Sequence, residues 1–86
     1  MYCIFSFKSR QEAMRLYDTA KRNGVYATLI STPKFVSSGC GLSVKTSIEN
    51  CANLYNVFVS MRFSSFLGAF RVREINGLIQ AEKVLY

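Results

Sequence analysis

Ser9-Arg10-Gln11-Glu12 limits what this chain can fold into more than any other stretch. It is a capping box: the Ser9 hydroxyl can accept the N–H of Glu12 while the Glu12 side chain reaches back to the N–H of Ser9. A helix must therefore start at residue 10, and everything before it must be a separate element. Tyr2 to Phe7 is short, aromatic and β-branched and reads as a strand. After the box, Ala13, Tyr17 and Ala20 recur at helical spacing, with Met14 and Leu16 widening the stripe. Lys21 and Arg22 fall in the last turn, where cations complement the helix dipole. Gly24 ends the helix after Asn23.

The same alternation repeats downstream. Val25 to Ile30 reads as a second strand. Ser31 to Gly41 is a loop carrying Pro33 and a glycine pair, with apolar Phe35 and Val36 able to anchor it. Leu42 to Thr46 alternates apolar and polar residues, as a strand does. Ser47 can cap a second helix whose stripe is Cys51, Leu54, Tyr55, Phe58 and Met61. Phe66 to Ile75 returns as a strand, with Phe70 and Val72 on one face and Arg71 and Arg73 on the other. Asn76-Gly77 is a hairpin turn signal. Leu78 to Tyr86 fits either a hairpin partner or a short docked helix. The order predicts an α+β fold: a ferredoxin-like βαββαβ sandwich with a C-terminal strand or short-helix extension.

At 86 residues the chain has room for one domain, spanning 1–86. Half of it is hydrophobic, with seven Phe and five Tyr. A domain of this size buries only about 60–65% of its unfolded surface, so some apolar area is left to support a homodimer. The net charge of +6 favours anionic partners. The basic residues are scattered from Lys8 to Lys83 with no run of five or six, which reads as a solvated basic surface. Gly68-Ala69-Phe70-Arg71-Val72 echoes the aromatic strand of RNA-recognition domains, but at the last strand instead of the third. Packing with two outward arginines is the simpler use, and nucleic-acid binding ranks last among the readings.

There are three cysteines and no histidine. The odd count and the absence of a C-x-x-C spacing argue against a disulfide framework. Cys3 and Cys51 read as core residues. No signal peptide or membrane span is visible, and a reducing cytoplasm is expected. Without histidine there is no Cys–His catalysis and no His metal site. The acids Glu12, Asp18, Glu49, Glu74 and Glu82 form no visible acid–base pair. The chain is read as a non-enzyme with no cofactor and no metal.

Cys40 is the exception. It sits in Ser37-Ser38-Gly39-Cys40-Gly41, a Gly-flanked loop where burial is difficult. Successive loop N–H groups can form an anion nest, and Lys34 and Lys45 lie close in sequence, where an ammonium would favour the thiolate. The plain alternative is a small buried hydrophobe.

Ser31 to Val44 resembles a family of small bacterial proteins of uncharacterised function described as selenium/sulfur carrier-like. Their pattern is a Pro and a basic residue, a β-branched residue, then Ser-Ser-x-Cys-Gly and an apolar strand. Pro33, Lys34, Val36, Ser37, Ser38, Cys40 and Gly41 fill it, with Lys34 where the family usually has Arg. The resemblance covers roughly residues 2 to 62, and the tail from Phe63 to Tyr86 departs from it. It implies that Cys40 holds sulfur or selenium as a persulfide or selenosulfide, taken from a donor protein and passed to an acceptor enzyme. Lys34 would stabilise the anion, Gly39 and Gly41 would expose the thiol, and Ser37 and Ser38 would donate hydrogen bonds. The competing reading is a non-catalytic interaction or regulatory module of ferredoxin-like type, a candidate homodimer, in which Cys40 is incidental.

Overall fold

The computed structural model describes residues 1–37, 39 and 41–84. Its elements are β1 (Tyr2–Phe7), α1 (Arg10–Arg22), β2 (Thr28–Ser31), β3 (Leu42–Ser47), a 3₁₀ turn (Ile48–Asn50), α2 (Cys51–Val59), β4 (Phe66–Ile75) and β5 (Leu78–Val84). The fold is α+β: one five-stranded sheet in the order β2-β3-β1-β4-β5, every neighbouring pair antiparallel, with two helices. Of the two alternatives for the C-terminal extension, the strand forms. Asn76 and Gly77 take positive φ angles of 52° and 80°, as a tight hairpin turn between β4 and β5 requires. No helix among the described residues is long and apolar enough to cross a membrane.

β1 is the central strand, and its alternation divides the molecule. Cys3, Phe5 and Phe7 face the helices, where they meet Ala13, Leu16 and Ala20 of α1 and Cys51, Leu54 and Val57 of α2. Phe58 sits in an aromatic cluster, with ring centroids 4.5 Å from Phe66 and 5.4 Å from both Phe5 and Phe63. Met14, expected on the buried stripe, is 48% exposed.

The α1 terminus explains why β2 is shorter than expected. The N–H of Gly24 bonds to the Lys21 carbonyl and that of Val25 to the Ala20 carbonyl, a Schellman closure. Val25 is held by the helix, so pairing begins only at Thr28. Ser47 precedes a 3₁₀ turn without a side-chain cap, and α2 proper starts at Cys51.

Half of the capping box forms. Ser9 Oγ accepts the Glu12 N–H at 3.3 Å, but Glu12 does not return to Ser9. Its carboxylate instead accepts the N–H groups of Ser64 and Ser65 at 2.9 and 2.8 Å, and both their hydroxyls. The Ser9 N–H goes to Ser65 Oγ at 3.0 Å. Two residues 52 and 53 positions downstream outcompete the local partner because they offer four donors to one carboxylate. Arg15 reinforces the joint: its guanidinium lies 4.8 Å from the Phe63 ring centroid and donates to the Arg62 carbonyl.

These bonds, the Ser65 hydroxyl first, lower the Glu12 pKa from 4.5 to about 2. The folded value lies below the unfolded one, so Glu12 stabilises the fold above pH 4.5 and loses that contribution as pH falls towards 2. Thermal midpoints measured across this window should show wild type more stable than Glu12→Gln near neutrality, with the two curves converging at the acid end. A constant difference across the window would refute the assignment.

Cys3 and Cys51 are disulfide-bonded, with Cα atoms 5.8 Å apart and a sequence separation of 48. This corrects the expectation of three free thiols. Both are core residues, as expected, but they lie in facing layers, Cys3 on β1 and Cys51 in the first turn of α2. The stacking of the layers makes the pair, which no sequence spacing announces. The bond also removes one of the grounds, the unpaired cysteines, for expecting a reducing compartment.

Phe70 and Val72 do not pack under the helices. Phe5 pairs with Ala69 in register, so Ala69, Arg71 and Arg73 share the helix side, the two arginines lying exposed. Phe70 and Val72 belong to the opposite face with Tyr2, Ile4 and Ser6. That face is not bare: Ile4, Ser6 and Val72 are all buried.

Candidate functional site

Part of the cover on that second face is the loop between β2 and β3, the one that carries the Ser-Ser-Gly-Cys-Gly stretch. Its neck is closed by the Thr32 N–H donating to the Gly41 carbonyl at 3.1 Å. Inside, Pro33 begins a single helical turn: its carbonyl accepts the N–H groups of Val36 at 3.0 Å and Ser37 at 3.2 Å. This turn sets the Phe35 ring edge-on to Phe70, with centroids 6.1 Å apart. The anchoring role expected of Phe35 is therefore played against β4. Beside it opens a hollow of about 560 Å³ bounded by Phe35, Phe70, Ile79, Ala81 and Lys83.

Gly41 is fixed by close approach. A Cβ built there would lie 2.6 Å from the Phe7 carbonyl oxygen and 3.0 Å from Thr32 Oγ1. The loop thus returns to the sheet pressed against the end of β1. Gly39 is different, because among the described residues a Cβ there would meet only Ser37 Oγ, at 3.7 Å.

Under the neck runs a row of hydroxyls. Thr32 Oγ1 lies 3.0 Å from Ser43 Oγ, which lies 2.7 Å from Ser6 Oγ. Ser6 and Ser43 are fully buried. A hydroxyl can both donate and accept, so Ser43, in the middle of the row, can donate to one neighbour and accept from the other. Sequence reading did not single out Thr32, Ser6 or Ser43. Ser43 and Ser6 pair directly across β3 and β1, a signal visible only once strand register is known.

Of the residues singled out for the site, Lys34 is exposed on the helical turn, and Ser37 Oγ accepts the Gly39 N–H at 3.2 Å. An accepting hydroxyl keeps its own proton to donate elsewhere. Cys40 and Ser38 lie outside the described residues. The N–H groups of Thr32, Val36, Ser37 and Gly39 are engaged within the loop, so these four do not form an open anion nest. Lys45 is not brought to the loop: its ammonium sits 4.3 Å from the Tyr2 ring centroid, three residues along β3 from Leu42. Lys34 is thus the loop's own cation.

Residues 2–63 match the model of a protein family described as "Putative Se/S carrier protein-like". The match spans β1 to the end of α2 and includes the whole loop. No curated protein and no solved structure matches the chain.

Proposed function

Because this chain belongs to the Putative Se/S carrier protein-like family, we propose that it is a non-catalytic chalcogen carrier with Cys40 as the attachment site. The family match over residues 2–63 carries this reading. In it, a donor protein bearing a persulfide meets the Cys40 thiolate. The thiolate attacks the outer sulfur, a new S–S bond forms on Cys40, and the donor leaves as its thiolate. The acceptor enzyme reverses these roles. A donor carrying selenium in the outer position delivers it by the same displacement. No net oxidant is consumed, so the carrier needs no cofactor.

Three features support the reading. The loop is tethered at its neck and by Phe35, while Lys34 and Gly39 stay exposed. Lys34 supplies a positive charge for a soft anion. The Cys3–Cys51 bond ties off the other two cysteines, leaving one thiol to receive the atom. The scaffold belongs to the same proposal. In β5-β4-β1-β3-β2, each βαβ unit brackets a strand of the other, which favours a ferredoxin-like sandwich with β5 added at its edge.

The test is intact-mass and peptide mass spectrometry after incubation with a cysteine desulfurase and cysteine. Addition of one sulfur, confined to the Cys40 peptide, reversed by thiol reductant and absent from Cys40→Ser, is expected. Rapid alkylation of Cys40 by iodoacetamide at neutral pH should accompany it. An unmodified Cys40, or a thiol that resists alkylation in the folded protein, would overturn the carrier assignment.

A further inference from the structure

β5 pairs with β4 on one side and is the outer strand of the sheet. Its residues from Leu78 to Lys83 are all exposed, Leu78 at 70% and Ile79 at 58%. Such an edge presents a row of backbone donors and acceptors to another strand. We propose that a second copy of this chain pairs antiparallel with β5 about a two-fold axis at Ala81, joining the two five-stranded sheets into one. This inference does not depend on the carrier reading.

The β5 sequence is self-complementary in that register and in no neighbouring one. Opposed side chains share a face, so about such an axis the paired residue numbers must sum to an even number. Centring on Ala81 pairs all seven residues: Leu78 with the partner's Val84, Ile79 with the partner's Lys83, and Gln80 with the partner's Glu82. Alanine meets alanine at the axis. Centring on Glu82 or Lys83 would set like charges face to face. Centring on Gln80 would push Val84 past the partner's strand and onto its turn.

Charge complementarity runs through both faces of this register. On the helix side, Arg73 Nε donates to Gln80 Oε1 at 3.2 Å, which leaves the Gln80 amide N–H₂ to donate to the partner's Glu82. Within each chain Glu82 already stands beside Arg71, so each carboxylate is flanked by Arg71 and by the Gln80–Arg73 pair across the axis. On the other face, the partner's Ile79 lies along the Lys83 stem. Glu74 pairs with Ile79 in register, so the partner's Glu74 comes next in line for the Lys83 ammonium. Lys83 and Ile79 also bound the hollow beside Phe35, and the partner's Ile79 would add a wall to it.

Sedimentation velocity or light scattering should give a wild-type mass of twice 9.7 kDa. Gln80→Glu sets a carboxylate against the partner's Glu82 at two symmetric positions and should weaken the dimer roughly tenfold or more. Gln80 is exposed, so circular dichroism should show this variant folded. The double variant Gln80→Glu/Glu82→Gln exchanges the pair and should restore wild-type affinity. A wild type that stays monomeric at its highest soluble concentration would overturn the proposal. So would a Gln80→Glu dimer as tight as wild type, or a folded double variant that fails to recover.

Discussion

Removing the Cys3–Cys51 bond should lower the thermal midpoint by roughly 15–30 °C. The bond closes a loop of 48 residues, and the loss of that constraint from the unfolded chain corresponds to about 4 kcal/mol. Small domains have total stabilities of only about 5–15 kcal/mol, so this is a large share. Both residues are buried, Cys3 fully and Cys51 with 4% of its surface exposed. Reduction in the folded state should therefore be slow, and the comparison is best made with Cys3→Ala/Cys51→Ala beside oxidised wild type. Equal midpoints would show that the bond contributes nothing. Non-reducing peptide mapping should recover the Cys3 and Cys51 peptides as one linked species.

The second large effect is expected at Gly41. An added methyl group would meet the Phe7 carbonyl at 2.6 Å, and backbone in the central strand cannot step aside as a side chain can. Gly41→Ala should cost about 1–3 kcal/mol, seen as a midpoint lower by roughly 5–20 °C. It should also disturb the Thr32–Ser43 contact, because the same methyl group crowds Thr32 Oγ1. Gly39→Ala is the control. Among the described residues its methyl group has ordinary clearance, so a change within about 0.5 kcal/mol is expected. Equal losses at both glycines would refute the close-approach argument.

The contrast between these glycines shows what the sequence could and could not reveal. In sequence both read as exposing a thiol, because local sequence shows only that glycine permits closeness. Which glycine is actually close depends on where β1 ends, a non-local fact. Helix α1 was legible because its start, stripe and stop are encoded within a few residues of one another. Glu12 was half legible: its N–H is bound locally, but its carboxylate answers to Ser64 and Ser65. The Cys3–Cys51 pair and the buried Ser6–Ser43 contact were not legible, since each joins residues separated by 48 and 37 positions. Phe70 was placed correctly on an alternating strand, yet its side of the sheet depended on register with β1.

The closed neck at Thr32 and Gly41 also bears on how this protein can change over evolutionary time. The chain leaves the sheet and returns to it at a neck closed by the Thr32–Gly41 hydrogen bond, so beyond the Phe35–Phe70 contact the sheet senses mainly the two ends of the loop. Added length in such a segment costs little closure entropy. Residues 33–40 can therefore be lengthened, shortened or rewritten as a cassette, provided Gly41 stays small, an aromatic ring still reaches Phe70 and, for the proposed carrier, Cys40 and a basic residue are kept. Selection on whatever meets this loop can act there while leaving the folding of the scaffold almost untouched.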